Sequence, residues 1–184
     1  MEFSKSETCI CDKHDIYLHK NDPSHFSLSF NIANPRIIIP NLITMDVYPL
    51  LAKLNTDVLE RIQITNIFSE NKISILFIFK RFGAELGMAQ KYMHTVIERR
   101  VTNKNITFIS KSIPLTKDVP ENCECVLCDD SQIIVNVENQ HDIKVDYEFH
   151  MELNEDLPIY MENIPGLLMK KLFIRLKQFI EQIQ

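Results

Sequence analysis

The end of the chain constrains it most, because a strictly alternating stretch from Lys144 to Leu153 runs through an acidic turn into a long amphipathic segment. Val145, Tyr147, Phe149, Met151 and Leu153 share one face, and Lys144, Asp146, Glu148, His150 and Glu152 share the other. That period of two is the pattern of a strand buried on one side. Asn154, Glu155 and Asp156 then suit a helix N-terminus and the positive end of its dipole. Beyond them Ile164, Leu168, Leu172, Leu176, Ile180 and Ile183 recur near helical spacing. A helix striped in this way must lie on an apolar surface, and the oily face of the preceding strand supplies one.

The rest of the chain supplies the sheet. Asp15 to Lys20 and His25 to Ile32 read as a hairpin, with Phe26, Leu28, Phe30 and Ile32 alternating against polar partners across an Asn-Asp-Pro-Ser turn. Asn34-Pro35 is a cap and first-turn signature, and the stretch to about Asn55, broken by Pro40 and Pro49, predicts two or three short helical pieces. Further strands are predicted over Leu59 to Phe68, Lys72 to Lys80, Lys91 to Val101, Ile106 to Ile113, Asn122 to Cys128 and Ser131 to Glu138. Short polar turns between them make the pairing mostly antiparallel. The fold class is therefore α+β: a strongly curved antiparallel sheet of about nine strands wrapped around a long C-terminal helix. The same elements also build a sandwich with a solid core, since periodicity does not distinguish a filled interior from a hollow one.

With 184 residues, 45% of them hydrophobic, the chain suffices for one core, so we expect a loose extension over 1–14 and one domain over 15–184. A net charge of −5 argues against general nucleic-acid binding, which needs a basic face. Five cysteines cannot all pair within the chain and favour a reducing compartment. The beginning of the sequence lacks the apolar core of a secretory signal, and the densest apolar run, Ile73 to Phe79, is too short to span a bilayer. A monomeric, cytoplasmic protein is the expectation. Cys123, Cys125 and Cys128 invite a metal reading, but 123 and 125 face away from 128 on a strand, so free thiols and no metal are expected. No phosphate loop, nucleophile elbow or two-histidine metal helix stands in the sequence.

Several segments resemble the steroidogenic-acute-regulatory-protein-related lipid-transfer (START) domains, taken in order from Asp15 to Ile183. They are Asp15-Ile16-Tyr17-Leu18 with Phe26 to Ile32, Met45-Asp46-Val47-Tyr48-Pro49, Glu98-Arg99-Arg100 followed by Asn103 to Ser112, and Asp156-Leu157-Pro158. The chain departs from that family in having no tryptophan and in carrying Gln90-Lys91-Tyr92 where an arginine-aspartate pair is often seen. The resemblance implies a helix-grip fold with a hydrophobic cavity for one lipid (sterol, phospholipid, ceramide or fatty acid), no cofactor and no catalysis. It also implies transfer of that lipid between membranes. An enzyme of the cyclase or hydratase type on a small hydrophobic substrate, and a non-catalytic protein-interaction module, use the same scaffold.

Under that reading the cavity wall is Tyr147, Phe149 and Met151 on the last strand and Leu168, Leu172, Leu176 and Phe179 on the helix. Enclosure matters because burying a tail of roughly fifteen carbons gains on the order of 12 kcal/mol. Tyr92, His94, Glu98, Arg99 and Arg100 are the candidates for holding a headgroup, arginine offering a bidentate fork to an anion. A surface charge cluster fits Glu98, Arg99 and Arg100 equally. Phe82, Leu86 and Met88, in a stretch holding two of the three glycines, form the expected gate loop, or else fold back over the core. Lys170, Lys171, Arg175 and Lys177 form either a patch for transient docking on anionic membranes or an ordinary solvated helix face.

Overall fold

The computed structural model describes residues 8–22, 24–84, 87–116, 121–128, 131–151 and 161–184. The expected acidic turn at Asn154 to Asp156, the Asp156-Leu157-Pro158 junction and the gate residue Leu86 lie outside these.

Ten strands among the described residues form one sheet: β1 (Thr8–Cys11), β2 (Ile16–Asp22), β3 (His25–Ala33), β4 (Leu59–Ser69), β5 (Lys72–Phe79), β6 (Gln90–Val101), β7 (Asn105–Ser112), β8 (Cys123–Cys125), β9 (Ser131–Val137) and β10 (Asp142–His150). Their order is β1-β2-β3-β10-β9-β7-β6-β5-β4, so the last strand of the chain sits beside the third and joins the two ends into one surface. Every pairing on that path is antiparallel. The exception is β8, which runs parallel to β6 at Gln90 to Tyr92, beyond the part of β6 that β7 covers.

Local chemistry closes the hairpins. Asp22 Oδ1 accepts from the backbone of Ser24 at 3.3 Å and His25 at 3.1 Å, fixing the β2–β3 turn. Thr102 Oγ1 accepts from Lys104 and Asn105 and closes β6–β7. Two helices face the sheet: α1 (Val47–Leu54) and α2 (Ile164–Gln182). Pro49 in the first turn of α1 and Pro165 in that of α2 replace N–H groups that have no helical partner there.

Asn34-Pro35 does not begin a helix. Residues 35–36 are a turn, and the first helical piece after it is a short 3-10 segment, Ile39–Leu42. Asn34 is buried and instead closes the far end of α2: its Nδ2 donates to Ile180 O at 2.7 Å and Ile183 O at 3.0 Å. The side chain thus satisfies carbonyls that the end of a helix leaves unpaired.

Helix α2 buries Pro165, Gly166, Met169, Lys170, Leu172, Phe173, Leu176 and Ile180 against the inner face of the sheet and α1. At Gly166 the helix backbone comes so close to the sheet that an added Cβ would lie 2.7 Å from the Phe26 ring. Phe30 and Tyr147 receive Phe173 at ring-centroid distances of 5.7 and 5.3 Å. A second, smaller cluster covers the outer face, where Leu76, Ile78 and Tyr92 pack with Leu115, Cys123 and Cys125. Covering both faces explains why β5 is buried along nearly its whole length rather than alternating.

Candidate functional site

The space between sheet, α1 and α2 is not filled. One cavity of about 50 Å³ is walled by Tyr48 and Leu51 of α1, by Phe77 and Phe79 of β5 and by Met93, Thr95 and Ile97 of β6. Ser110, Cys128, Ser131, Ile133, Tyr147, Met169, Leu172 and Phe173 complete it. A second cavity of about 40 Å³ adjoins it and shares Tyr48, Leu51, Ile133 and Phe173 with it. The second is almost entirely apolar in character, adding Phe30, Val135, Val145 and Leu176 among others. A third pocket of about 10 Å³ links Phe79 and Met169 of the main cavity to Phe82, Lys91, Val126, Met151, Pro165 and Leu168.

Both inner cavities are smaller than the ~150 Å³ void that holds one benzene-sized guest. A lipid tail therefore enters only if the walls yield. Two of those walls are Met93 and Met169, whose unbranched side chains re-pack easily.

Polar atoms in the main cavity gather where β7, β9 and β10 meet. Ser110 lies opposite Ser131 across the β7–β9 ladder, and the Tyr147 hydroxyl lies beside Ser131 and Cys128. Burial, then the neighbouring Cys128 and Tyr48, push the Tyr147 phenol well above its ordinary value. Burial alone does the same to Tyr48, whose ring packs edge-on against Phe77 and Phe108. Both phenols are neutral hydroxyls at any physiological pH.

The expected wall residues divide. Tyr147 and Leu172 line the main cavity, Leu176 the second, and Met151 and Leu168 the third. Phe149 lines none of these: it is 2% exposed and sandwiched between Phe26 and Tyr147. Phe179 is a correction, because at 39% exposure it faces away from the interior. Seven residues fall about 20° short of two full turns, so Phe179 drifts beyond Leu172, itself at the edge of the buried arc.

The expected headgroup residues are not in the cavity. Met93, Thr95 and Ile97 point inward, so their alternates Tyr92, His94, Glu98 and Arg100 point outward. Tyr92 belongs to the outer cluster, and His94 Nε2 lies 2.9 Å from Thr65 Oγ1. Glu98 pairs with Arg100 at 2.8 Å and Lys72 at 3.5 Å at the surface, Arg100 being the main cause of its lowered pKa. Arg99 is the inward alternate but lies past the cavity. Its Nε donates to Ile43 O at 2.9 Å and its Nη1 to Asn71 Oδ1 at 3.0 Å, tying the lead-in to α1 to the β4–β5 turn.

The basic residues of α2 are engaged rather than displayed. Lys170 is 3% exposed and its Nζ donates to Ile16 O at 2.6 Å and Cys11 O at 3.4 Å. It is a strut for the first strands. Lys171, at 2.7 Å, and Arg175 both meet Asp57, whose pKa is driven down first by the Arg175 hydrogen bonds and then by Lys171. Lys177 pairs with Glu181 and donates to Asn31 O at 2.9 Å. Of the gate residues, Met88 is 4% exposed rather than displayed on a loop. Its Sδ would lie 2.5 Å from a Cβ on Gly83, which has φ of 65°, and its carbonyl accepts from Arg81 Nε at 2.9 Å. Phe82 lines the third pocket.

No protein-family profile matches the sequence, and no curated protein sequence does. Solved structures do match. Human StAR-related lipid transfer protein 5 superposes with a TM-score of 0.78 at 9% identity, covering 96% of this chain and 86% of its own. The lipid transfer and protein localization domain of human StarD13 (DLC2) gives 0.74 at 10% identity, covering 98% and 91%. A STAR-related lipid transfer protein from Xanthomonas axonopodis gives 0.70 at 10% identity, covering 96% and 99%. The fold is START-like. In this START-like fold the cavities described above lie where sheet and terminal helix enclose the interior, and among the described residues no helix is long and apolar enough to cross a membrane.

Sequence reasoning missed Tyr48, Leu51, Met93, Ile97, Ile133, Met169 and Phe173 as cavity residues. The signal for part of this set was present: the run of buried alternates Phe77 and Phe79 beside Met93, Thr95 and Ile97 marks one face of β5 and β6 as inner. Nothing in the sequence placed α1 over that face.

Proposed function

We propose that this chain binds one lipid inside the START-like fold and carries it between membranes by partitioning rather than by bond making. One observation carries the reading. At the centre of a domain of ordinary size two adjoining apolar cavities meet at Tyr48, Leu51, Ile133 and Phe173, where close packing is the rule. Movement of those four side chains merges the cavities, and the methionines of the wall give further room. The similarity of the fold to proteins described as lipid transfer domains favours the same reading.

The route in follows the third pocket, which joins the main cavity at Phe79 and Met169 and passes Phe82, Met151 and Leu168. We assign the moving part to the loop around Phe82 and Met88 rather than to α2. The helix is tied to β2 by Lys170, to the β3 end by Asn34 and to the region after α1 by Arg175 and Asn55, whereas among the described residues of the loop these hydrogen bonds are local, from Arg81 Nε to Met88 O, from Met88 N to Gly83 O and from Gly87 N to Ala84 O. Docking on the membrane is transient and involves the Phe82 side of the molecule. The protein works as a cytoplasmic monomer.

The test is transfer of labelled cholesterol, fatty alcohol and phosphatidylcholine from donor to acceptor vesicles. Catalysed transfer of at least one of them, slowed by Phe82→Asp, is the expected result. Transfer no faster than the spontaneous rate for all three contradicts the carrier reading.

A further inference from the structure

Neither inner cavity is walled by any Lys, Arg, Asp, Glu or His side chain among the described residues. The polar lining of the main cavity consists instead of hydroxyls and one thiol: Tyr48, Thr95, Ser110, Ser131, Tyr147 and Cys128. Thr95 spends its hydroxyl on the backbone, donating to Lys111 O at 2.9 Å, and Ser131, Tyr147 and Cys128 stand beside one another. Two hydroxyls are left over. Tyr48 is 6% exposed and Ser110 is half-buried, and neither has a hydrogen-bond partner among the described residues. A ligand group that hydrogen-bonds such a cavity-facing hydroxyl gains more than one placed against a purely apolar wall.

From this we infer, resting on the lipid-binding reading above, that the polar group entering the interior is an uncharged alcohol, held by the hydroxyls of Tyr48 and Ser110, and that lipids with ionised headgroups are excluded. A phosphate, sulfate or carboxylate drawn to this depth finds, among the described residues, hydroxyls but no cation in the wall, and an ammonium finds no carboxylate there, so its lost hydration is not replaced. Of the buried lysines among the described residues, Lys91 belongs to the third pocket and is bound to Glu124 at 2.6 Å, and Lys170 is bound to the Ile16 carbonyl at 2.6 Å. An alcohol, in contrast, both donates and accepts, and so matches a wall of groups that do the same.

The experiment is a competition read by native mass spectrometry. The full chain is incubated with phosphatidylcholine vesicles containing equal amounts of a neutral lipid and its sulfate, in two pairs: cholesterol with cholesterol sulfate, and hexadecanol with hexadecyl sulfate. Expected is capture of the alcohol over the sulfate by about tenfold or more in at least one pair, the size of one buried hydrogen bond left unmade. Tyr48→Phe keeps the ring contacts with Phe77 and Phe108 and should reduce that preference about tenfold, with Ser110→Ala acting in the same direction. Tyr17→Phe, at a position 49% exposed, should leave it unchanged. Equal capture of alcohol and sulfate, or an unaltered ratio in both Tyr48→Phe and Ser110→Ala, overturns this inference while leaving lipid binding intact. Capture of no lipid overturns both.

Discussion

Replacing Leu51 by phenylalanine separates a hollow interior from a packed one. Leu51 is 6% exposed and borders both inner cavities from α1. In a close-packed core the added ring atoms force off-rotamer side chains and cost about 1–3 kcal/mol. Here the ring has about 50 Å³ to occupy on one side. At roughly 24 cal/mol per Å³, filling that void returns about 1.2 kcal/mol. The variant should therefore be as stable as the parent or more stable by up to about 1 kcal/mol, which for a domain of this size raises Tm by about 2–4 °C. Urea denaturation at constant m-value reads the difference. Ile16→Phe, at a fully buried position bordering neither cavity, is the control and should destabilise by about 1–3 kcal/mol. Because the added ring fills the space assigned to the ligand, lipid uptake from vesicles should fall in the same variant. A loss of 1–3 kcal/mol at Leu51 would refute the void. A stable variant with undiminished uptake would refute the assignment of the ligand to it.

Gly166→Ala should destabilise by about 1–3 kcal/mol despite the better helix propensity of alanine, because its Cβ meets Phe26 at 2.7 Å, and unchanged stability in a denaturant melt would show that α2 sits further from the sheet. Lys170→Met should cost about 1–3 kcal/mol, by leaving the Ile16 carbonyl unpaired, while binding to anionic vesicles in a sedimentation assay stays as it was; a loss of vesicle binding at intact stability would return Lys170 to the docking surface. Burial raises the folded pKa values of Tyr48 and Tyr147 above the unfolded value of about 10, so their contribution stands below that pH and is lost as pH rises beyond it. Tyrosinate absorbance from these two of the five tyrosines should accordingly appear together with loss of circular dichroism, and their titration in the folded protein would contradict the burial.

The alternation of Val145, Tyr147 and Phe149 carried enough information to place the last strand and its inner face, because a half-buried strand writes its geometry directly into its period. The same held for the β2–β3 hairpin and for the run from β4 to β7. Parity went wrong on β6, where Tyr92 and His94 looked like the polar lining of a cavity although Thr95, on the other parity, is the one that faces it. Both faces of that strand are covered, so hydrophobicity alone did not mark the inner one. Lys170 and Asn34 were misread for a different reason. Each is satisfied by backbone groups more than a hundred residues away, and a long polar side chain bound in that way looks in sequence like any solvated one. The strand Thr8–Cys11 and the parallel pairing of Cys123–Cys125 are likewise products of tertiary neighbours rather than of local pattern.

The central claim is that an oil-lined space between sheet and terminal helix opens to admit one lipid. Native mass spectrometry of the full chain after exposure to vesicles of mixed sterol, fatty-alcohol and phospholipid composition weighs it most directly. The account predicts a single added mass of one lipid per chain, diminished in Leu51→Phe. A spectrum of bare protein at every lipid composition, or one in which Leu51→Phe carries as much lipid as the parent, would contradict it.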